Sequence, residues 1–421
     1  MKILKKVQID DNIYSKDFLK FLGFWDKRAL LKVAKKLKGK KIIHINAVST
    51  GGGVAELLES LIPYLNSLGI DSSWYAIDSL EAGRDFFRFT NKLHNALQGS
   101  SVEFTDEEWD LYKIFNRKMA AELVELDYDV LIANDPQALF TRKYVNGPGK
   151  EIYYSHIDTS TANENVWKEI LPIMNLYEGM IFSNKDFVNK DLDSGKVNIF
   201  TPAIDPLSIK QKVVPREEAK KYLSQFGIKE DAPLIVQVSR FDIWKNPLGV
   251  VEAFRMVQSS CPDVQLALVG IKEAKDNPQA DKVYQDVAYI AAGDPNISLF
   301  FNSLGIKDVA EFTMMMQNGA DVVVQNSIKE GFGLTVTEAM WKEKPVVGGS
   351  ALGIKKQIQD EENGFITKTS EELAERIIFL LKNPKVSAVM GKNAKESVRQ
   401  NFLFPRLVLD HLKLYESILD L

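Results

Sequence analysis

Short apolar runs alternate with longer amphipathic stretches along most of this 421-residue chain. The apolar runs of the first half are KIIHINAV (41–48), SSWYAID (72–78), DVLIAND (129–135), EIYYSHID (151–158) and GMIFSN (179–184). Each has the length and the content of β-branched and aromatic residues that strands favour. The stretch VAELLESLIPYLNSLG (54–69) has helical spacing instead. This alternation predicts parallel sheets with crossover helices.

The same alternation starts again in the second half. Its predicted strands are PLIVQVSR (233–240), VQLALVG (264–270), ISLFFNS (297–303), DVVVQNS (321–327) and PVVGG (345–349). Between the halves, NIFTPAIDPLS (198–208) carries two prolines and suits an inter-domain linker. We therefore predict an α/β fold with two doubly wound domains, residues 1–205 and 206–404. In such folds ligands bind at the carboxyl ends of the strands, so two domains that face each other would form a cleft.

Composition limits the functional classes. With 45% hydrophobic and 26% charged residues, the chain has the composition of an ordinary soluble globular protein. A net charge of −4 provides no basic footprint for nucleic acid. The single cysteine, Cys261, excludes an intramolecular disulfide and fits a reducing compartment such as the cytoplasm.

Membrane association is not expected. No apolar run approaches the roughly 18 residues of a membrane span, and charges interrupt the amino-terminal segment before a signal-peptide core can form. The basic segment 27–41 could lie on a membrane surface. Its apolar positions are Leu30, Leu31, Val33, Ala34 and Leu37. Their spacing favours a helix that docks on the protein core.

The segment KEGFGLTVTEAMWK (329–342) carries two acidic residues around a glycine turn. It follows a predicted strand, turns at Gly331 and Gly333 and continues as a helix. Such a unit aims several backbone N–H groups at one point, which favours anions and hydroxyl-rich ligands. Glu330 and Glu338 would stand about 12 Å apart along the helix axis and could hold the two ends of an extended ligand. The alternative is a plain structural unit with a solvated Glu at each end.

Two cations follow a strand of the second half. Arg240 and Lys245 lie in VSRFDIWKNP, between a predicted strand and a predicted helix. A guanidinium and an ammonium at a strand's carboxyl end are well placed to neutralise a diphosphate. Two surface cations without a ligand are the alternative.

A glycine loop, Gly51-Gly52-Gly53, follows the strand 41–48 in the first half. It permits close backbone approach to an anion, although a plain tight turn is the alternative. The loop matches neither the dinucleotide-binding pattern nor the Walker A pattern.

Other catalytic motifs are absent from the sequence. There is no G-x-S-x-G, no H-E-x-x-H and no cysteine pair. The D-x-D at Asp191 and Asp193 lies in a polar turn and is interpreted as a loop. Among the histidines, His156 ends a predicted strand, His44 is predicted to be packed within a strand, and His411 is predicted to lie on the surface.

The acidic and basic motifs together resemble a known family. E-G-F-G-L-T-x-x-E-A-M and S-R-x-x-x-x-K are similar to signatures of the retaining glycosyltransferases of family 4, which have the GT-B fold and use nucleotide-sugar donors. KLHNALQG (92–99), SHIDTS (155–160) and QVSRFDIWKNP (237–247) resemble, more narrowly, the nucleotide-sugar-dependent trehalose synthases and the retaining trehalose phosphorylases. One position departs, because Leu352 stands where relatives usually carry a glycine before Gly353.

The resemblance implies a role for each candidate site residue. Glu330 would contact the donor hexose, Glu338 the ribose, and Arg240 with Lys245 the phosphates. The remaining donor-site residues would be Gly52, Gly53, Gly331, Phe332, Gly333 and Leu334. His156 is expected at the primary hydroxyl of the hexose, close to the reaction centre, and Asp135 and Asp158 are expected on the acceptor side. The final helix, 405–421, is expected to cross back to the first domain.

The implied reaction transfers glucose from an NDP-glucose to glucose, reversibly and with retention at the anomeric carbon. No cofactor is expected, and Mg²⁺ would act only through the nucleotide diphosphate. The expected partners are NDP-glucose and a small sugar acceptor, not nucleic acid or a membrane, and a homodimer stays open. The alternatives are a trehalose phosphorylase, which would have little use for Glu338, a glucosyltransferase that uses glycerol, glycerate or a sugar phosphate, and a nucleotide-sugar sensor without activity.

Overall fold

The chain divides into two compact units in a computed structural model. The described residues are 2–9, 16–50, 52–270, 278–302 and 305–421. Unit 1 contains Met1–Pro202 together with Phe404–Leu421, and unit 2 contains Ala203–Leu403. The sequence-based boundary after residue 205 falls three residues beyond this division. In the described ranges no helix combines the length and the apolar character that crossing a bilayer requires.

Unit 1 is built on a seven-stranded sheet. Its strands are β1 (Leu4–Lys6), β2 (Lys41–Asn46), β3 (Asp71–Ile77), β4 (Val130–Asn134), β5 (Lys150–Ser155), β6 (Gly179–Phe182) and β7 (Val197–Ile199). They lie in the order β1-β3-β2-β4-β5-β6-β7, and only the pair β1–β3 is antiparallel. The strand order reverses between β2 and β4, so the loops after these two strands leave the same edge of the sheet side by side.

Five helices of unit 1 come from the first part of the chain. They are α1 (Phe24–Lys36), α2 (Gly53–Ser67), α3 (Ser79–Leu97), α4 (Asp106–Val124) and α5 (Glu164–Met174). The start of α4 is set by a capping box, in which Thr105 and Glu108 each satisfy the other's backbone N–H. In α1, Leu30, Val33 and Ala34 are buried, which confirms the docked helix, but Leu31 is exposed.

Unit 2 contains a wholly parallel six-stranded sheet. Its strands are β8 (Leu234–Val238), β9 (Gln265–Val269), β10 (Ile297–Phe300), β11 (Val322–Gln325), β12 (Val346–Gly349) and β13 (Phe365–Thr367). They lie in the order β10-β9-β8-β11-β12-β13, which is the strand order of the Rossmann fold. The order reverses between β8 and β11. The carboxyl ends of these two strands therefore form the switch point at which such sheets bind ligands.

Helices cover both faces of the second sheet. They are α6 (Arg216–Ser224), α7 (Pro247–Ser260), α8 (Pro278–Ala291), α9 (Val309–Gly319), α10 (Leu334–Trp341), α11 (Leu352–Lys355), α12 (Ser370–Lys382) and α13 (Pro384–Asn401). One apolar core unites helix and strand residues such as Val250, Phe254, Leu266, Val324 and Ile377. Because parallel strands are buried on both faces, they are the continuous apolar runs that the sequence shows.

The final helix, α14 (Phe404–Ile418), belongs to unit 1. His411 on this helix is fully buried, so its predicted surface position is wrong. Its Nδ1 lies 3.1 Å from the hydroxyl of Tyr415, and its ring packs against Tyr154 and Phe200. The prediction relied on the polarity of His411, whereas the residue lies four positions after Leu407, on the apolar face of the helix.

Candidate functional site

The switch point of unit 2 brings together two loops that are distant in sequence. Lys245 follows β8 and Glu330 follows β11, and Lys245 Nζ forms an ion pair with Glu330 Oε2. Ser327 Oγ donates to the same carboxylate oxygen at 3.1 Å. The side chains of Lys245 and Glu330 are only 14% and 12% exposed, so solvent screens their charges weakly.

The loop that carries Lys245 is fixed by its own polar residues. Asp242 Oδ1 accepts from the backbone N–H of Trp244 at 3.0 Å and begins a short 3-10 turn. Asn246 ends the turn in the left-handed region, at φ 49°, and caps α7 through the N–H of Gly249. From β8, Gln237 Nε2 donates to the carbonyl of Lys245 at 3.3 Å. These hydrogen bonds fix the backbone of the loop on both sides of Lys245.

Arg240 lies on the same loop but at its surface. Its side chain is 68% exposed, and its Nη2 lies 3.3 Å from Asp242 Oδ2. The structure therefore joins Lys245 directly to Glu330 and leaves the guanidinium of Arg240 accessible to a ligand.

The turn between Glu330 and α10 depends on glycine. Gly333 has a φ of 86°, a left-handed conformation that L side chains rarely adopt, and it forms the N-cap of α10. Phe332 is buried, and Leu334 is the first helical residue. The candidate donor-site residues of this turn thus lie at the amino end of a helix, where backbone N–H groups favour anions.

Glu338 lies inside α10 and is 4% exposed. Its Oε2 accepts from Gln317 Nε2 at 3.2 Å, and its carbonyl accepts from Lys342 Nζ at 3.2 Å. Burial lowers the pKa of Lys342 to about 8. The alternative of two solvated glutamates is therefore wrong, since Glu330 and Glu338 are both largely buried.

Sequence reasoning missed Ser327 and the packing of Gly353. Ser327 lies three residues before Glu330, and this spacing in NSIKE was the available signal. The N–H of Gly353 donates to the carbonyl of Glu330 at 3.2 Å, and a Cβ on Gly353 would approach both that oxygen and Phe332 Cα to 2.6 Å. The loop after β12 thus packs against the Glu330 turn even though Leu352 replaces the expected glycine.

Replacing Gly353 by alanine is expected to displace the Glu330 turn. A contact of this kind costs about 1–3 kcal/mol or forces the backbone to move. We expect Gly353→Ala to lower the activity of this site by about 10-fold or more, because small displacements of a site cost much activity. Steady-state kinetics would measure the effect. Gly147→Ala is the matched control, since a Cβ there meets nothing within 4 Å, and equal activity in both variants would contradict the prediction.

In unit 1, the candidate residues Asp135 and His156 directly follow β4 and β5. The N–H of His156 donates to Asp135 Oδ1 at 2.9 Å, and His156 Nε2 lies 3.0 Å from Asn134 Oδ1. Asn134 Nδ2 donates to the carbonyl of Ile45 at 2.9 Å, which fixes the amide so that its oxygen faces the imidazole. His156 Nε2 therefore carries the hydrogen in this arrangement. Burial lowers the pKa of His156 to about 3, so the ring is neutral.

Asp135 combines burial with an unusual backbone conformation. Its φ is 58°, in the left-handed region, and its side chain is buried. Burial raises the pKa of the Asp135 carboxyl to about 7. Buried, strained acids with such a pKa occur often at functional sites, and this residue is at the strand end where unit 1 would bind a ligand.

Asp135→Asn is expected to stabilise the protein at alkaline pH and to impair activity. The native pKa lies above the ordinary value of 3.8, so the unfolding free energy of the wild type falls as pH rises from about 4 to about 7. An asparagine side chain carries no charge, so its burial does not incur the cost of burying an ionised carboxylate. Asparagine is also among the residues that tolerate a left-handed φ. We expect its melting temperature to exceed the wild-type value by several degrees at pH 8, at about 2–4 °C per kcal/mol. A constant difference between pH 4 and 8, measured by calorimetry, would contradict this.

Asp158 and the glycine loop have local structural roles. Asp158 is buried, and its Oδ1 accepts from the N–H of Ser160 at 2.9 Å and from its hydroxyl. Gly52 has a φ of 85° and forms the N-cap of α2, which begins at Gly53. Gly51 lies outside the described residues. The ligand roles of Asp158, Gly52 and Gly53 stay predictions.

Two further predictions concern metals and histidine. Among the described residues, no three His, Cys, Asp or Glu side chains are grouped to hold a metal ion. Asp193 accepts from the N–H of Gly195 at 3.0 Å and begins a short turn, which confirms the loop interpretation of the D-x-D. His44 is fully buried in β2, which confirms its packed position.

Comparison with known proteins assigns a family to each part of the chain. Residues 44–189 match the model of the trehalose synthase N-terminal domain, and residues 218–397 match glycosyl transferases group 1. A trehalose synthase of Rubrobacter xylanophilus is 40% identical, over 93% of this chain and 93% of that protein. One of Pyrococcus horikoshii is 38% identical, over 96% and 95%. A trehalose phosphorylase of Pleurotus pulmonarius is more distant, at 27% identity over 82% of this chain and 52% of that protein.

Solved structures show the same fold. Sucrose-phosphate synthase from Thermosynechococcus elongatus superposes with a TM-score of 0.69 at 18% identity, over 90% of this chain and 98% of that one. Anabaena HepE in complex with UDP-glucose superposes with a TM-score of 0.64 at 18% identity, over 90% and 100%. The predicted GT-B fold with two Rossmann-like domains is confirmed.

Proposed function

Because this chain belongs to the trehalose synthase family of glycosyltransferases, we propose that it transfers glucose from an NDP-glucose to free glucose and forms α,α-trehalose. The observation that carries the proposal is the convergence of Lys245 Nζ and Ser327 Oγ on Glu330 Oε2 at the switch point of unit 2. It sets a largely buried ion pair beside a helix N-terminus, a combination suited to a sugar linked to a diphosphate.

In the proposed reaction the bond between the anomeric carbon and the diphosphate oxygen breaks on one face of the sugar. The new bond to the acceptor hydroxyl forms on that same face, so the configuration is retained. The acceptor's proton passes to the departing diphosphate, and the products are trehalose and NDP. No residue of the protein has to form a covalent bond with glucose.

The residues of unit 2 would stabilise the leaving group. Lys245 and Arg240 would balance the negative charge that grows on the diphosphate, together with backbone N–H groups near the start of α10. Glu330 would hold hydroxyls of the donor hexose, and its pairing with Lys245 fixes the position of its carboxylate. Glu338 would accept hydrogen bonds from the ribose.

The residues of unit 1 would bind sugar hydroxyls. The neutral His156 can accept a hydrogen bond at Nδ1, because its one ring hydrogen is on Nε2, which faces Asn134. Asp135, and with it Asp158, would bind the acceptor. We also propose that the enzyme works in the cytoplasm, which the single cysteine supports, and that Mg²⁺ acts only on the nucleotide diphosphate.

The test is a product assay. The purified protein is incubated with ADP-, UDP- or GDP-glucose, each with and without glucose, and the products are identified by NMR. Glucose-dependent release of NDP with an α,α-linked disaccharide supports the proposal and names the donor. If instead trehalose and phosphate give a glucose phosphate and no nucleotide sugar reacts, the protein is a phosphorylase. Repetition with Mg²⁺ and with a chelator tests the metal proposal.

A further inference from the structure

Gln357 lies between two glycine loops of unit 2 and bonds to both. Gln357 follows α11 along the chain, and its side chain is only 2% exposed. The amide nitrogen donates to the carbonyl oxygens of Phe332, Gly333 and Gly353, the last two at 3.3 and 3.1 Å. The amide oxygen accepts from the hydroxyl of Thr337 at 2.5 Å. One buried side chain thus links the Glu330 turn, the loop after β12 and helix α10.

We propose that Gln357 is a positioning residue for the donor site, an inference that rests on the glucosyl transfer proposed above. A trans peptide group is planar, and its C=O and N–H point in opposite directions. When Gln357 holds the carbonyls of Phe332 and Gly333, it therefore directs the N–H groups of Gly333 and Leu334 away from itself. These are N–H groups of the turn that would face the departing diphosphate. Gln357 sets their direction without touching the ligand.

The N–H of Val336 also donates to the carbonyl of Gly333, at 3.0 Å. Gln357 therefore acts chiefly through the carbonyl of Phe332. Gly333 is in a left-handed conformation, which glycine adopts without steric strain. Gly353 packs against the backbone of the same turn with no side chain between them. At Gly333 and Gly353 themselves there is no side chain to fix the planes of the adjoining peptide groups. Gln357 supplies directional hydrogen bonds at this point, and its bond from Thr337 anchors it to α10.

An apolar side chain of the same length would fill the space but could not hold the carbonyls. Gln357→Met keeps the volume and removes every hydrogen bond of the amide. The matched control is Gln265→Met, because Gln265 is 3% exposed and its amide bonds to the backbone of Lys229. Gln265 is the first residue of β9, at the amino ends of the strands and far along the sheet from the switch point. Both variants lose a buried amide from the same unit.

The measurement compares kcat, the KM for glucose and the melting temperature. We expect Gln357→Met to lower kcat by about 10- to 100-fold, as misdirected groups in a site do, with the KM for glucose changed by less than about 3-fold. Gln265→Met should lose melting temperature as well but keep kcat within about 2-fold of the wild type, since distant sites act independently. Equal kcat values in the two variants at a temperature where both are folded would overturn the proposal.

A second variant distinguishes positioning from general loss of structure. Thr337→Val removes only the anchor of the Gln357 amide, so we expect a smaller fall in kcat in the same direction. The double variant should fall by less than the product of the two single effects, because both act through one network. Multiplicative effects would count against a shared network and overturn the proposal.

The binding of nucleoside diphosphate separates this inference from the proposed function. If the wild-type protein makes no trehalose from any of the three donors, the proposed function fails, and calorimetry with ADP, UDP and GDP then decides the role of Gln357. An affinity at least 10-fold lower in Gln357→Met than in Gln265→Met supports a positioning role for the diphosphate site. Equal affinities overturn it.

Discussion

Replacing Lys245 by methionine is expected to lower turnover by about 10²- to 10³-fold, the usual effect of removing a group that stabilises a leaving-group charge. The loss should exceed that of a surface lysine because the ammonium is only 14% exposed and faces Glu330. Steady-state kinetics with the preferred donor would measure it. Lys395→Met is the control, because it removes the cation of another ion pair of unit 2, at 2.8 Å from Glu343.

Arg240→Ala tests the second cation that is expected to neutralise the diphosphate. Its guanidinium is exposed and bonded to Asp242, so its removal should disturb the folded protein little. We expect a fall of about 10²-fold in turnover if Arg240 neutralises the diphosphate. Near-normal turnover in both Lys245→Met and Arg240→Ala would contradict the assignment of the phosphate site.

Glu330→Gln should lower turnover by a similar factor, about 10²-fold, without unfolding the protein. Glutamine has the same shape, but it removes the charge that pairs with Lys245 and weakens the hydrogen bonds to sugar hydroxyls that a carboxylate accepts. The effect should appear in kcat, and the melting temperature should change by only a few degrees. Asp193→Asn in an exposed turn is a suitable control for loss of one carboxylate.

A double-mutant cycle links the predictions for Lys245 and Glu330. Lys245 and Glu330 contact each other directly, so their effects on kcat should not multiply. The double variant should be only slightly less active than the worse single variant. Full multiplication would mean that the pair acts as two independent groups and that the ion pair has no part in catalysis.

The strands of both units could be predicted from sequence because parallel strands are buried on both faces. Runs such as DVLIAN and DVVVQ have no polar face, and turn residues bound them. Helices α3 and α4 were not identified from their apolar spacing. The Thr105–Glu108 capping box was the better signal for α4, whereas Asp78 caps only the first turn of α3, before the break at Gly83.

The site could be predicted only where the sequence motif is local. The turn from Glu330 to Glu338 is one continuous segment, and its glycines and helix can be identified directly. The ion pair between Lys245 and Glu330 joins residues 85 positions apart, and it follows from the strand order, in which β8 lies beside β11. Ser327 and Gln357 were missed because neutral side chains contribute through hydrogen-bond geometry, which spacing along the chain does not reveal.

Buried polar residues were the other source of error. His411 was predicted to lie on the surface, and for Glu338 a solvated position was the alternative to a ligand-binding role. Each buried side chain has a polar neighbour, the hydroxyl of Tyr415 at His411 Nδ1 and the amide of Gln317 at Glu338 Oε2. Satisfied polar groups are common in cores, and polarity alone does not identify them.

The placement of α14 has a consequence for the order in which the protein matures. A ribosome makes Ala203–Leu403, all of unit 2, before it makes Phe404–Leu421, which unit 1 requires. Until then, the side chains of unit 1 that α14 covers, including His44, Tyr154 and Phe200, have no partner helix. The half that is synthesised first is therefore the half that is finished last.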